Sequence, residues 1–324
     1  MKVYIKTPSR LHLGLIDLSG SLGRMFGGLG VGIDKPNIVI EAEHALGLTV
    51  TGKEVPYVTE LAYRFFNAYN IKPTGHIHVE QVIPAHTGLG SGTQFALAVA
   101  TALAKLNHLI VAPSQLALTM ERAKRTGVGT AIFEKGGFVV DGGKKTVAGD
   151  STDFPPLLYR QMFPDNWRFV IAVPNVTKGL CNAEEVSAFN NLPPMLEGEV
   201  AKICHLIMFK LLPALAEKDL ENFGNALTDI QIITGNYFAH AQGGIYSNKE
   251  VADTVVFIKE LDGVYGVGQS SWGPAIYGVV KQEQAKNTLQ KLQKHLNRNI
   301  GGNAFIAKGN NKGAIIKITN SNRE

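Results

Sequence analysis

The chain has 324 residues, 45% of them hydrophobic and 18% charged, with a formal net charge of +5 and a pI near 9.0. That length holds one large domain or two ordinary ones with a sizeable core, and the absence of any charge block or low-complexity run excludes a disordered or fibrous protein. Lys and Arg are scattered rather than striped, and no nucleic-acid motif appears, so the mild basicity points to anionic small molecules and not to nucleic acid.

In chain order, "KVYIK" and "RLHLGLIDL" alternate apolar and polar residues and read as strands, as does "NIVIEAEH". "VPYVTELAYRFFNAY" repeats apolar residues at helical spacing, and "GHIHVEQVI" returns to a strand. Next come a glycine-rich loop, a long apolar helix from Ser91 to Leu106, a second helix over "SQLALTMERAKR", and a strand with hairpin at "GGFVVDGGKK". The Pro- and Asp-rich segment from Gly149 to Pro164 is the expected boundary between domains 1–165 and 166–324, because "NWRFVIAVP" then begins a buried strand. The second half reads as helices near 182–190, 197–211, 219–238 and 249–260, strands at "GVYGVG" and "GPAIYGVV", a helix at 282–297, and strands at "NAFIAK" and "AIIKI" before a frayed "TNSNRE" tail. This is an α+β half with helices covering one sheet.

"MKVYIKTPSRLHLG" lacks an apolar signal core, and no run of about 18 apolar residues occurs, so the expectation is a cytoplasmic protein with no membrane partner. Cys181 and Cys204 lack metal-ligand or CxxC spacing.

The stretch "IPAHTGLGSGTQFALAVATALAKL" sets Gly88, Gly90 and Gly92 ahead of a helix whose free N–H groups and positive dipole end face the loop. A phosphate or pyrophosphate suits such a place. A plain strand-to-helix turn has the same look, and the Walker pattern is excluded because no Lys follows the last glycine.

The order of elements, with Pro84, Gly88, Leu89, Gly90 and Ser91 in the loop, resembles the GHMP kinase superfamily. Four segments resemble one branch of it, the β-ribofuranosylaminobenzene 5'-phosphate synthases of methanopterin biosynthesis: "SRLHLGLIDLSGSLGR", "GLGSGTQFALAVATAL", "RTGVGTAIFEKGGFVVDGG" and "GVGQSSWGPAIYG". The resemblance implies an α+β, two-domain fold, with a ribosomal-protein-S5-like N-terminal domain and a ferredoxin-like C-terminal domain. It implies a pentosyltransferase that condenses phosphoribosyl pyrophosphate (PRPP) with 4-aminobenzoate or 4-hydroxybenzoate, releasing pyrophosphate and CO2, with Mg²⁺, no organic cofactor, and a homodimer. The sequence departs from the kinases of the superfamily at Gly129, which stands where their catalytic Asp would be, and at Gly92, which replaces the second, magnesium-binding Ser of their loop.

The implied chemistry assigns three tasks. The leaving pyrophosphate falls to the loop, with Gly88, Gly90, Ser91, Gly92, Thr93 and Gln94 as candidates. Arg10, Arg24 and Arg125 lie within the motifs and suit a carboxylate or phosphate, or else structural ion pairs. Proton handling points to His12 as a general acid or base, on the same strand face as Arg10, with a structural histidine as the alternative. Asp17 reads as a Mg²⁺ ligand or a turn cap, and Glu134 as a metal ligand, a base or an exposed residue. Gln269, Ser270 and Ser271 are candidates for ribose phosphate, and Trp272 for stacking on the arene or for the core. An ATP-dependent small-molecule kinase and a non-catalytic phosphate-binding protein are the competing readings.

Overall fold

The computed structural model describes residues 1–146, 154–176 and 191–320; the helix expected near 182–190, Cys181 and the end of the tail lie outside them. The first half runs β1 (Lys2–Lys6), β2 (Ser9–Asp17), β3 (Arg24–Ile33), β4 (Val39–Glu43), β5 (Leu48–Gly52), α1 (Val55–Tyr69), β6 (Gly75–Gln81), α2 (Ser91–Leu106), α3 (Pro113–Thr119), α4 (Val128–Lys135), β7 (Phe138–Asp141), β8 (Lys144–Lys145) and β9 (Leu157–Gln161). The second runs β10 (Trp167–Pro174), α5 (Glu197–Leu206), a π-helical turn (Ile207–Leu211), α6 (Leu212–Glu217), α7 (Leu220–Gln242), α8 (Lys249–Lys259), β11 (Val264–Gln269), β12 (Ile276–Lys281), α9 (Ala285–Asn299), β13 (Gly302–Ala307) and β14 (Ile315–Thr319).

Three sheets result, in the orders β14-β1-β4-β6-β5, β2-β3-β7-β9 with β8 beside β3, and β11-β12-β10-β13. The last strand pairs antiparallel with the first, Ile316 opposite Ile5 and Ile318 opposite Val3, so the chain's end crosses back over a division drawn at 165. The main core is likewise continuous, joining Val3 and Phe65 to Phe163, Trp167, Phe223 and Tyr277. Helix α2 is buried along almost its whole length, from Gln94 to Leu106. A helix apolar all round is a central one, and its many alanines let neighbours approach from every side. This burial fixes the direction in which its N-terminus points.

Helix α7 does the joining between halves. It packs against β2 and β11, and Gly224 meets Gly266 so closely that a Cβ on either would overlap backbone. Gln231, midway along, donates from Nε2 to the Leu13 carbonyl (2.7 Å) and accepts the Gln269 N–H (3.0 Å), tying β2 to β11.

Several elements differ from the sequence reading. Strand β3 forms despite four glycines in ten residues, because Gly28 and Gly30 let Thr126 and Val128 of the α4 region lie directly on the sheet. The helix expected over "SQLALTMERAKR" ends at Thr119. Glu121 takes a left-handed φ of 54°, its N–H donates to the Leu118 carbonyl and that of Arg122 to the Ala117 carbonyl, which is a Schellman closure with Glu where Gly is usual. The helix expected at 197–211 continues to Glu217 through the π turn. Pro213 lacks an N–H and would collide with an ordinary preceding turn, and the wider turn absorbs the misfit.

Candidate active site

A cavity of about 550 Å³ opens where β2, the N-terminus of α2, the 121–126 segment, the C-terminal half of α7 and the 269–272 loop converge. Of the sequence candidates, it brings together Arg10, His12, Thr93, Arg125, Gln269, Ser271 and Trp272.

Behind Arg10, His12 and Ser271, two glycine loops pack backbone to backbone through Gly88 and Gly273, which do not themselves line the cavity. Gly88 and Gly90 have φ of 86° and 81°, and a Cβ on Gly88 would overlap the Ser270 carbonyl oxygen, while one on Gly273 would overlap the Gly88 backbone. Ser270 Oγ donates to the Gly88 carbonyl (2.7 Å) and accepts the His12 N–H (3.0 Å). Ser270 is fully buried, so its hydroxyl is a fastener between the loops and not a ribose-phosphate contact. Arg10 Nη1 also donates to the Gly88 carbonyl (2.7 Å), placing its charge against the loop. Gln269 is engaged at both ends of its amide, with Ser247 and Ser271, and forms a wall. Ser271 holds a left-handed φ of 56°, a strained backbone of the sort that gathers at functional sites.

Among the described residues the lining carries four cations, Arg10, Arg122, Lys124 and Arg125, and one carboxylate, Glu121. Arg122 and Lys124 escaped the sequence reading because "MERAKR" looked like a continuing helix, on which they would diverge. The lining is also aromatic: Trp272 meets Phe238 edge to face at 4.6 Å, and Leu15, Ile245 and Tyr246 are in the same wall. Thr234 also lines the cavity, and its buried hydroxyl has no hydrogen-bond partner among the described residues.

His12, on β2, is part of the same wall. Burial first, and then the Arg10 guanidinium, push its pKa from 6.5 down to about 3. An imidazole that stays neutral at pH 7 is no general acid and, with so low a pKa, a weak general base, so the proton-handling role is corrected to that of a neutral hydrogen-bonding wall.

The remaining candidates lie elsewhere. β2 does bulge between His12 and Gly14, yet Asp17 reaches the turn beyond, where its Oδ1 accepts from the Ser19 N–H (2.7 Å), the Ser19 hydroxyl (2.7 Å) and the Gly20 N–H (3.1 Å). That is the turn cap, not the metal ligand. Arg24 donates to the carbonyls of Gly142 and Gly143, both at 2.8 Å, and clamps the hairpin. Glu134 is 43% exposed beside Lys135 on α4, outside the cavity lining. Gln94 is fully buried and donates to the Gly129 carbonyl (2.9 Å), tying α2 to α4. Ser91 and Gly92 sit at the first turn of α2, with Arg122 over Gly92.

Among the described residues no three His, Cys, Asp or Glu side chains cluster, and Glu121 is already paired with Arg64 (2.8 Å) and Lys124 (3.6 Å). Among the described residues this is no all-protein Mg²⁺ cage, and an ion here would take its remaining ligands from waters and substrate phosphates. A different acid does have a built setting. Asp141, buried at the end of β7, accepts the N–H groups of Gly127 and Gly143, both at 2.9 Å. Burial outweighs those bonds and raises its pKa to about 6. It anchors the start of α4 from beneath. No helix among the described residues is long and apolar enough to cross a membrane.

Residues 56–137 match the GHMP kinases N-terminal domain and residues 211–298 the GHMP kinases C-terminal domain. The chain is 32% identical to the β-ribofuranosylphenol 5'-phosphate synthase of Methanothermobacter thermautotrophicus, over 98% of this chain and 99% of that one. It is 33% identical to the protein of the same name from Archaeoglobus fulgidus, over 97% and 99%. Mevalonate diphosphate decarboxylase from Staphylococcus aureus superposes with a TM-score of 0.70 at 14% identity, over 98% of each chain, and shares the fold.

Proposed function

The chain belongs to the β-ribofuranosylphenol 5'-phosphate synthase family, with GHMP N- and C-terminal domains, and on that premise we propose that it condenses PRPP with 4-hydroxybenzoate, releasing pyrophosphate and CO2. The observation that carries this reading is one cavity lined both by four cations and by an aromatic pair, Trp272 on Phe238. A polyanionic sugar donor and a flat aromatic acid need such a pair of environments side by side.

The bond from C1 of the ribose to the pyrophosphate oxygen breaks, and its electron pair leaves with the pyrophosphate. Negative charge grows on that oxygen, where fixed cations and N–H groups act most strongly. Arg10 and Thr93, with the first turn of α2, stand on that side. The ring carbon bearing the carboxylate supplies the new bond to C1. The bond to the carboxylate then breaks, its electron pair restores the aromatic ring, and CO2 departs. The bond changes themselves transfer no proton, and the released pyrophosphate takes its proton from solvent, so a cavity with a neutral His12 suffices. Trp272 and Phe238 hold the arene, and Thr234 offers its hydroxyl to the ring substituent. Mg²⁺ is assigned to the substrate, as a companion of the pyrophosphate, and the assembly to a homodimer.

A kinase reading is less supported. Gly129 offers no base, and a Cβ there would stand 3.0 Å from Thr93 Cγ2, so a larger side chain would crowd Thr93. Carboxyl-labelled 4-hydroxybenzoate tests the proposal: label should appear as CO2 only when PRPP is present, and labelled 4-aminobenzoate run in parallel fixes the acceptor. Retention of all label in both acids would overturn it.

A further inference from the structure

We propose that Arg122 is the principal anion contact of the glycine loop, its guanidinium gripping the pyrophosphate end of the donor beside Gly92 with no metal ion between them. The inference rests on the synthase reading and extends it to a residue that the motifs do not mark.

A Cβ on Gly92 would stand 3.3 Å from Arg122 Nη1, 3.4 Å from Nη2 and 3.5 Å from Cζ. The bare backbone at 92 is therefore what lets the guanidinium lie over the first turn of α2, next to Thr93 in the cavity wall. Nη2 donates to the Tyr57 hydroxyl (2.7 Å), and Tyr57 is braced edge-on against Phe95 at 5.8 Å. The fork is pinned, so little side-chain entropy remains to be lost when an anion arrives.

Two further features mark this segment. Among the described residues Arg122 Nε is buried without a hydrogen-bond partner, a cost the fold carries here. The residues on either side, Glu121 and Ala123, hold left-handed φ of 54° and 58° without being glycine; the first closes the helix that ends at Thr119, and the second is backbone strain of the type that collects where ligands are held. A guanidinium at this spot also repels a divalent cation placed within a few ångströms, so charge neutralisation beside Gly92 comes from the protein.

Titration calorimetry with inorganic pyrophosphate, in EDTA and in Mg²⁺, tests this on the wild type, Arg122→Gln, Arg122→Lys and Gly92→Ser. The wild type should bind in EDTA. Arg122→Gln should weaken that binding by roughly 10- to 100-fold, the value of a charge-assisted contact, with Arg122→Lys in between. Gly92→Ser leaves the charge and crowds the fork, and should weaken binding in EDTA while its melting temperature stays near that of the wild type. It keeps the test valid where Arg122→Gln fails to fold. The KM for PRPP should rise more than kcat falls. Equal pyrophosphate affinity in wild type and Arg122→Gln, or wild-type binding that appears only with Mg²⁺, overturns the inference. A wild type that binds pyrophosphate through Arg122 but yields no CO2 sinks the synthase reading alone, whereas a CO2-forming wild type with unaltered Arg122→Gln sinks this one alone.

Discussion

Replacing His12 by Asn separates a proton-handling histidine from a neutral wall. With a folded pKa near 3 against 6.5, the folded protein leaves the imidazole unprotonated over a window in which the unfolded chain binds the proton. Between about pH 3 and 6.5 the wild type therefore loses stability as pH falls, and the contribution is fully present above 6.5. The slope is up to about 1.4 kcal/mol per pH unit, which gives about 2 kcal/mol between pH 6.5 and 5. Asn does not titrate, so this slope is absent from His12→Asn, while the main-chain bond from residue 12 to Ser270 Oγ is retained. Urea unfolding of both proteins at pH 5, 6 and 7 should show their stability difference changing by about 2 kcal/mol across that range. Turnover per folded molecule should fall less than about tenfold, below the 10² or more typical of a general acid or base, and keep the same pH profile. A wild-type kcat limb near pH 6 to 7 that vanishes in the variant would refute the reasoning, as would a flat stability difference.

Asp141 carries the opposite sign. Its pKa is raised from 3.8 to about 6, so the folded protein binds the extra proton and stability falls as pH rises through that window, by about 3 kcal/mol in all; Asp141→Asn should abolish that slope in urea unfolding and cost about 1–3 kcal/mol at low pH, because an amide nitrogen would face N–H donors. Gln94→Leu should lower stability by about 1 kcal/mol through the lost bond to the Gly129 carbonyl, yet leave turnover per folded molecule unchanged in a steady-state assay. Trp272→Leu should raise the KM for the arene roughly tenfold while leaving pyrophosphate affinity alone, since the indole packs edge to face on Phe238 and adds no cation to the lining.

The α+β GHMP fold was legible because the glycine loop, the apolar α2 and the alternating strands each agree locally with their place in the molecule. Strand β3 and helix α4 were not, since glycine is a poor former of either element. Gly28 and Gly30 in β3 serve close approach to α4 instead, and α4 begins at two glycines because Asp141, distant in sequence, takes the Gly127 N–H. In the site, Arg10 and His12 share a face as the two-residue period requires, and both line the cavity. Arg24, Asp17 and Gln94 belong to the same motifs but fasten the frame around it. A motif marks residues that must be present, and nothing local distinguishes those that hold the loop from those that touch its occupant. Arg122 shows the converse: its position depends on a helix ending three residues earlier, at Thr119, which only the packing of Leu116 and Met120 decides.

The central claim is that this chain forms a carbon–carbon bond at C1 of PRPP while losing CO2 and pyrophosphate together. The most direct measurement is the stoichiometry of one reaction mixture containing the purified protein, PRPP and 4-hydroxybenzoate, with pyrophosphate, CO2 and the aryl riboside 5'-phosphate quantified at intervals. Equal yields of all three, unaffected by ATP, are the predicted result. Pyrophosphate released without CO2, or ATP consumed to phosphorylate an alcohol, would contradict it.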